Sequence, residues 1–195
     1  MKVTIHQPDF VPWYGFFERW AKADLFVILD DVQFLRRGWH HRDKIKSRDG
    51  SIWLTLPVVK SGRYSQLIHE VELSYASNWV HKHMETIRYS YSGAPQFESG
   101  FSKLSAIYLK QKWTKLIDIN LAFLEVGREF FSIETPTVLS SSHHIESRST
   151  QRLVDLTKAV GGTEYLSGMG AKDYLDEGLF DKEDIEVTWE EGEKF

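Results

Sequence analysis

A histidine, two prolines and a glycine mark the segment that follows the first predicted strand. Residues 6–17 read His-Gln-Pro-Asp-Phe-Val-Pro-Trp-Tyr-Gly-Phe-Phe, and the prolines fix the backbone just ahead of a predicted helix. Backbone N–H groups at a helix amino terminus suit a phosphate or a carboxylate, and Gly15 would let such a group approach closely. His6 could exchange a proton, although a histidine at a strand end is more often structural. We predict that His6, Gln7, Trp13 and Gly15 line a ligand site.

Two adjacent carboxylates follow the second predicted strand. Asp30 and Asp31 come directly after the apolar run of residues 25–29. A carboxylate there can hold a sugar hydroxyl, orient an amine or bind a divalent cation. Because neighbouring residues of an extended chain face opposite sides, at most one of the two points into a cleft. We predict both as candidate catalytic residues together with His6, and Gln33 as a substrate-binding residue.

A short basic loop comes next in a chain whose net charge is −4. Residues 36–44 read Arg-Arg-Gly-Trp-His-His-Arg-Asp-Lys. Arginine can hold a diphosphate through paired hydrogen bonds, and a tryptophan beside it can stack on a base or a sugar. The alternative is a solvated loop that offsets nearby acids, with Arg36 or Arg37 paired to one of the preceding aspartates. The substrate-binding residues predicted in this loop are Arg36, Arg37, Trp39, Arg42 and Lys44.

A glycine loop closes a further short strand late in the chain. Residues 164–166 form the predicted strand, and Ser-Gly-Met-Gly at residues 167–170 forms its loop. At the carboxyl edge of a parallel sheet this loop would lie beside the first turn. Tyr165, Ser167 and Gly168 are therefore further candidates for substrate binding.

Several familiar sites are missing from the sequence. Six of the eight histidines occur as close pairs, but neither HExxH nor a similar ligand spacing is present, and there is no cysteine. We therefore predict no metal site. The phosphate-loop, dinucleotide-binding and serine-hydrolase motifs are also absent, so no cofactor can be named from the sequence.

The composition favours a small-molecule ligand over a macromolecular one. A net charge of −4 lacks the basic excess with which proteins hold nucleic acid, and no segment is long and apolar enough to cross a bilayer. The amino terminus also lacks the pattern of a secretion signal. We expect a cytoplasmic protein that does not bind nucleic acid and has no membrane span, and the oligomeric state stays open.

The elements that must position these residues alternate between strands and helices. Apolar runs predict parallel strands at residues 2–5 and 25–29 around a helix at 13–22, and Asp49-Gly50 predicts a hairpin. Helical spacing follows, and Ser149 and Thr150 are expected to cap a later helix. The fold expected is a three-layer α/β domain with a mostly parallel sheet, a small antiparallel hairpin excursion and a helical middle. The remaining predictions are strands at 68–73, 136–139 and 185–189, and helices at 78–91, 96–110, 115–131, from 149, and at 171–175.

The pattern as a whole resembles the WbqC-like family, whose members open with a strand followed by His-Gln-Pro, Pro-Trp and Gly-Phe-Phe. These motifs stand here at residues 6–8, 12–13 and 15–17. The resemblance predicts a single WbqC-like domain over residues 1–195. It continues through nearly the whole chain, at residues 23–24, 30–34, 36–44, 53–54, 57–58 and 165–168.

Members of that family often carry a further carboxyl-terminal segment with a tyrosine-rich part and a Leu-Ser-Ile-Asp-like ending. This sequence stops at Phe195 without it. We expect residues 190–195 to be either a natural short end or a truncation, and any site residue from that segment would be missing.

The resemblance implies a biosynthetic context for the protein more than it implies a particular reaction. The family occurs with surface-polysaccharide and O-antigen biosynthesis, which suggests a phosphorylated or nucleotide-linked amino sugar as the ligand. Transfer of an acyl or aminoacyl group to the sugar amine fits that setting, with His6, Asp30 or Asp31 as the base.

Two other functions remain open from the sequence. Strand, turn with histidine, helix and strand are similar in layout to HIGH-type nucleotidylyltransferases. In those enzymes a histidine pair stabilises the phosphate, whereas Trp13 and Phe16 stand near His6 here. The other alternative is a binding or assembly protein that uses the same cleft without catalysis.

Overall fold

The computed structural model describes residues 1–191 and divides into two compact units. The first unit contains residues 1–7, 13–31 and the chain from residue 130 onward, and the second contains residues 8–12 and 32–129. One domain over residues 1–195 stays a prediction. The strands are β1 (Lys2–His6), β2 (Leu25–Ile28), β3 (Arg42–Ser47), β4 (Gly50–Thr55), β5 (Thr137–Leu139), β6 (Glu164–Gly168) and β7 (Glu186–Glu190). The helices are α1 (Tyr14–Ala21), α2 (Trp79–Tyr91), α3 (Phe97–Lys110), α4 (Leu116–Phe130), α5 (Ser149–Ala159) and α6 (Glu177–Asp181).

The first unit is built on a five-stranded sheet in the order β5-β2-β1-β6-β7. All four neighbouring pairs are parallel, and His6 at the end of β1 is level with Ile28 of β2. Numbered by their sequence within this sheet, the strands run 3-2-1-4-5, the order of a doubly wound nucleotide-binding sheet. The mostly parallel α/β fold expected from the sequence is confirmed.

Alternating side chains of β2 show why helices cover both faces of this sheet. Phe26 packs against Phe16 and Trp20 of α1, at ring distances of 5.4 and 4.9 Å. Val27 points the other way, into a core that also contains Val154 of α5. Because successive strand residues face opposite sides, one apolar run supplies both interfaces.

The second unit packs the β3-β4 hairpin with α2, α3 and α4 around its own core. The predicted hairpin is present, with its turn at Arg48 and Asp49, and Gly50 begins β4 with φ +127°, a conformation that glycine adopts readily. Phe10, from the segment after β1, is completely buried in this core and contacts Phe123 of α4 at 5.3 Å. Asn120 holds that segment by donating to the carbonyl of Pro8 at 2.8 Å.

Some local predictions were wrong. Residues 68–73 do not form a strand, because the buried Ile68 and Val71 are three residues apart and Ile68–Glu70 is a 3-10 turn. At α5 the N-cap residue is Arg148 without a side-chain cap, and Thr150 accepts a hydrogen bond from Asp176 N instead. A 3-10 turn, Met169–Ala171, stands where a helix at 171–175 was expected, and α6 was not predicted.

No helix in residues 1–191 combines the length and the apolar composition needed to cross a membrane.

Candidate functional site

The chain changes direction across the sheet between β1 and β6. From β1 it proceeds to β2 and β5 on one side, and it then returns to place β6 and β7 on the other side. The connections that leave the carboxyl ends of β1 and β6 therefore diverge and open a crevice. In open α/β sheets this position is where ligands bind.

A cavity of about 450 Å³ occupies this position, and we call it the first cavity. Its lining comes entirely from the first unit, from the end of β1, one side of α1, the end of β6 and the turn that follows, and the end of β7. The residues that line it are Ile5, His6, Trp13, Gly15, Arg19, Tyr165, Ser167, Gly168, Met169, Gly170, Ala171, Tyr174 and Glu190.

His6 is the last residue of β1 and is half-buried at the cavity. Its Nδ1 lies 2.9 Å from the carbonyl oxygen of Gln7, and its ring makes an edge contact with Phe16 at 5.0 Å. With Nδ1 as the donor to that carbonyl, the lone pair of the neutral ring is on Nε2. In this tautomer Nε2 is the nitrogen that can accept a proton.

Trp13 forms one wall of the first cavity and is 63% exposed. Its indole ring covers Gly15, because a Cβ built at Gly15 would lie 2.1 Å from the ring. Gly15 therefore accommodates the tryptophan ring, a different reason for glycine from the close ligand approach expected from the sequence. Trp13 is the N-cap residue of α1, and within the described residues no side-chain hydrogen bond caps the first turn of this helix. A broad aromatic surface thus stands beside the amino terminus of a helix.

Arg19 supplies positive charge to the cavity from the next turn of α1. A Cβ built at Gly168 would lie 2.3 Å from Nη1 of Arg19, so the guanidinium rests against the Gly168 backbone. Only glycine leaves this space open. A guanidinium can hold a phosphate or a carboxylate through two parallel hydrogen bonds.

Glu190 supplies a carboxylate at the end of β7 and is 8% exposed. Lys22 donates to it at 2.8 Å and to Glu18 at 2.7 Å. The hydrogen bonds to Glu18 and Glu190 raise the pKa of Lys22 above its ordinary value. The first cavity therefore combines a guanidinium with a carboxylate that is held in place.

Tyr165 and Ser167 form the buried floor of the cavity on β6. Burial raises the pKa of Tyr165 to about 12, because an apolar environment disfavours the phenolate, and the hydrogen bond with Ser167 opposes this only in part. The Tyr165 ring also stacks on Phe180 at 5.0 Å. Tyr165 is thus a neutral phenol fixed by its packing.

Asp30 and Asp31 do not line the first cavity. Asp30 is 2% exposed and accepts hydrogen bonds from the backbone N and the hydroxyl of Ser141, at 3.0 and 2.8 Å. Asp31 accepts from the Ser140 hydroxyl and forms an ion pair with Arg152 at 2.5 Å. Both carboxylates therefore hold the 3-10 turn after β5 and the start of α5. The partner of Asp31 is Arg152, not Arg36 or Arg37.

The basic loop belongs to the second unit, where its side chains contact aromatic rings. Arg42 and Lys44 lie over the Trp53 ring at 4.6 and 5.1 Å, and Trp39 stacks on that ring at 5.5 Å. Arg42 also donates to the carbonyl of Arg37 at 2.8 Å.

Two other predicted residues of the second unit interact with Tyr64. Arg36 lies over its ring at 4.2 Å, and Gln33 donates to its carbonyl at 3.2 Å. Arg36 and Gln33 are therefore held by protein groups.

Arg19 and Glu190 were not predicted, although the sequence carries a signal for each. Arg19 is four residues after Gly15, so the two share one side of α1. Glu190 directly follows the last predicted strand, which places it at the same sheet edge as His6. Within residues 1–191 no three His, Asp or Glu residues come together as a metal site would require.

Comparison with known proteins gives two matches. A model of the WbqC-like protein family matches residues 7–194. The chain is also similar to the uncharacterized protein Rv1507c of Mycobacterium tuberculosis, with 35% identity over 188 residues that cover 96% of this chain and 81% of that protein. No solved structure matches the chain. The family resemblance expected from the sequence motifs is confirmed.

Proposed function

The chain belongs to the WbqC-like protein family, and from this premise we propose that the first cavity binds a nucleotide-linked amino sugar. We further propose that the protein transfers an acyl or aminoacyl group to the amine of that sugar during surface-polysaccharide or O-antigen biosynthesis.

The position of the first cavity at the divergence of β1 and β6 is the observation that carries this proposal. The amino terminus of α1 and the guanidinium of Arg19 both favour an anion there. Trp13 offers a ring face on which a base or a sugar can stack. Together these groups fit a ligand that combines a diphosphate with flat or ring-shaped parts.

The carboxylate of Glu190 supports an amine on the same ligand. A cavity for phosphate alone would gain from further cations, whereas this cavity also contains the carboxylate of Glu190, which lies beside Gly168, its register partner on β6. A protonated amine can pair with Glu190 on binding, and it loses one proton to solvent before it reacts. His6 is the base proposed for the second proton, which leaves the neutral amine as its nitrogen bonds to the acyl carbon, since His6 lines the same cavity.

The proposed reaction is a nucleophilic acyl transfer. His6 Nε2 accepts a proton from the sugar amine, and the amine nitrogen forms a bond to the acyl carbonyl carbon. The bond from that carbon to the leaving group of an activated donor, such as a thioester, then breaks. The proton held by His6 passes to the leaving group, so the histidine returns to its neutral form.

Nucleotidylyl transfer is a second candidate, favoured by one specific observation. The strand order 3-2-1-4-5 is typical of sheets that bind nucleotides at their carboxyl edge. Such an enzyme would bind a nucleoside triphosphate with magnesium and release diphosphate. Binding without turnover is a further candidate that uses the same cavity.

A thermal-shift screen of the full chain separates these functions. The panel contains nucleotide-linked amino sugars, the same sugars with an acetylated amine, and nucleoside triphosphates with magnesium. Stabilisation by the free-amine sugars, followed by acylated product when a thioester is added, would support acyl transfer. Stabilisation by triphosphate and magnesium alone would contradict it, and binding without any product across a broad donor panel would favour the binding function.

A further inference from the structure

The second unit contains a separate apolar cavity of about 340 Å³ between the hairpin and helices α2, α3 and α4. Ile87, Leu54, Tyr108 and Phe123 form its floor and are all less than 9% exposed. The residues that complete its lining are Val11, Ile45, Tyr91, Ala94, Gln96, Phe97, Gly100, Phe101 and Leu104. We call this the apolar cavity.

The tyrosine hydroxyls in the wall are already engaged within the protein. Tyr108 OH lies 3.1 Å from His83 Nδ1, and the other ring nitrogen of His83 lies 3.1 Å from the carbonyl of Thr55. With that second nitrogen as the donor, Tyr108 donates to Nδ1. Tyr91 OH accepts from the backbone N of Lys46 at 3.0 Å. Both hydroxyls are therefore hydrogen-bonded within the protein, and the surface that the floor presents to a ligand is apolar.

The mouth of the apolar cavity differs from its floor. Ala94, Gln96 and Gly100 are exposed there, so the cavity opens to solvent. Arg88 does not line the cavity itself, but its guanidinium lies over the ring of Phe101, a lining residue, at 4.9 Å. An apolar floor with a cation beside one of its lining residues is complementary to a chain that ends in an anionic group.

Val11 adds backbone strain to the wall of the cavity. Its φ is +47°, a conformation that β-branched residues rarely adopt. The strained residue borders the cavity, and such outliers concentrate at ligand sites.

We propose that the apolar cavity binds a medium-length acyl chain whose anionic end lies beside Arg88. A methylene group occupies about as much space as a water molecule, ~30 Å³, so the cavity holds a chain of roughly ten carbons. The proposal concerns the second unit alone and does not depend on the function of the first cavity.

Chain length gives the first measurement on the full chain. Alkanoates of increasing length are titrated into the full chain by isothermal titration calorimetry. Each added methylene should tighten binding about fourfold until the cavity is full, at roughly ten carbons. No binding of decanoate, or affinity that keeps rising to much longer chains, would overturn the proposal.

Two glycines give a matched pair of variants. A Cβ at either Gly100 or Gly93 meets no atom within 4 Å, but only Gly100 lines the apolar cavity. Gly100→Leu should lower the affinity for decanoate at least tenfold, and Gly93→Leu should leave that affinity unchanged. Equal affinity in the two variants would overturn the assignment to this cavity.

Arg88→Gln tests the anionic end separately. The variant should lower the affinity for decanoate about tenfold and leave the affinity for decanol unchanged, because only the carboxylate pairs with the guanidinium. An equal effect on the two ligands would overturn the role of Arg88. Because these experiments measure acyl-chain binding with no nucleotide or sugar present, their failure is distinguishable from failure of the proposed transferase function.

Discussion

The guanidinium of Arg19 lies against the backbone of Gly168, so that a Cβ on this glycine would stand 2.3 Å from Nη1. Arg19 belongs to α1 and Gly168 ends β6, so the contact joins the two sides of the first cavity. The glycine thereby sets where the positive charge of the cavity lies. This relationship can be altered without removing any polar group.

Gly168→Ala should displace the guanidinium of Arg19. The affinity for a nucleoside diphosphate should then fall about tenfold, since a charge-assisted hydrogen bond is worth roughly 1.5–3 kcal/mol. The free energy of unfolding should change by less than about 1 kcal/mol, because the clash involves the end of a flexible side chain. Isothermal titration and urea unfolding measure the two quantities.

Gly93→Ala is the control for that variant. Gly93 does not line the first cavity, and its Cβ would meet no atom within 4 Å. The control should bind like the wild type. Equal loss of affinity in both variants, or none in Gly168→Ala, would remove Arg19 from the proposed site.

His6→Asn tests the proposed base. Asparagine can keep a donor to the Gln7 carbonyl near the position of Nδ1 but has no basic nitrogen at the position of Nε2. The value of kcat for acyl transfer should fall about 10²–10⁴-fold with little change in KM. A decrease that appears only in KM would mean that His6 binds the sugar without acting as a base.

Removal of one partner of the ion pair between Asp31 and Arg152 should destabilise the first unit strongly. Both side chains are nearly buried, at 12% and 11% exposure. Arg152→Met leaves Asp31 without its cation and should lower the free energy of unfolding by about 3–5 kcal/mol in urea. Lys158 is on the same helix as Arg152, and Lys158→Met breaks its exposed ion pair with Glu183. This variant should lower the free energy of unfolding by less than about 1 kcal/mol. Similar losses in both variants would contradict the structural role given to Asp31.

Three buried histidines should make the second unit sensitive to acid. Burial lowers the pKa of His40, His41 and His83 from 6.5 to about 4. Between these values the unfolded chain binds more protons than the folded one, so stability falls as the pH drops from about 6.5 to 4. Each histidine contributes a slope of up to about 1.4 kcal/mol per pH unit. Urea unfolding between pH 7 and 4.5 measures the slope, which His83→Gln should reduce, and an unchanged slope would contradict the burial of His83.

Much of the fold follows from local patterns in the sequence. The apolar run at residues 25–29 contains the strand β2, Leu25–Ile28, because the run is short and apolar on both faces of the sheet. Asp49-Gly50 marks the hairpin because the chain leaves the turn at Asp49 and enters β4 at Gly50, where glycine adopts the positive φ. The strand predicted at residues 68–73 was wrong because the buried residues Ile68, Val71 and Leu73 combine helical spacing with strand spacing.

The candidate site was less predictable, because long-range pairing leaves no local pattern. His6, Ser167 and Gly168 could be proposed from their places at strand ends, and all three line the first cavity. The pairing of Asp31 with Arg152 depends on the sheet bringing distant segments together. Arg36 and Arg42 have a composition that suits an anion, but the sequence does not show that Tyr64 and Trp53 lie beneath them.

A crystal structure of the full chain with the nucleotide-linked amino sugar that stabilises it most would test the central claim directly. We predict that the diphosphate lies between Arg19 and the amino terminus of α1. The sugar amine should then lie within about 3 Å of His6 Nε2. A nucleotide bound outside the first cavity, for example on the Trp39 and Trp53 rings of the second unit, would contradict the account, as would an amine that points away from His6.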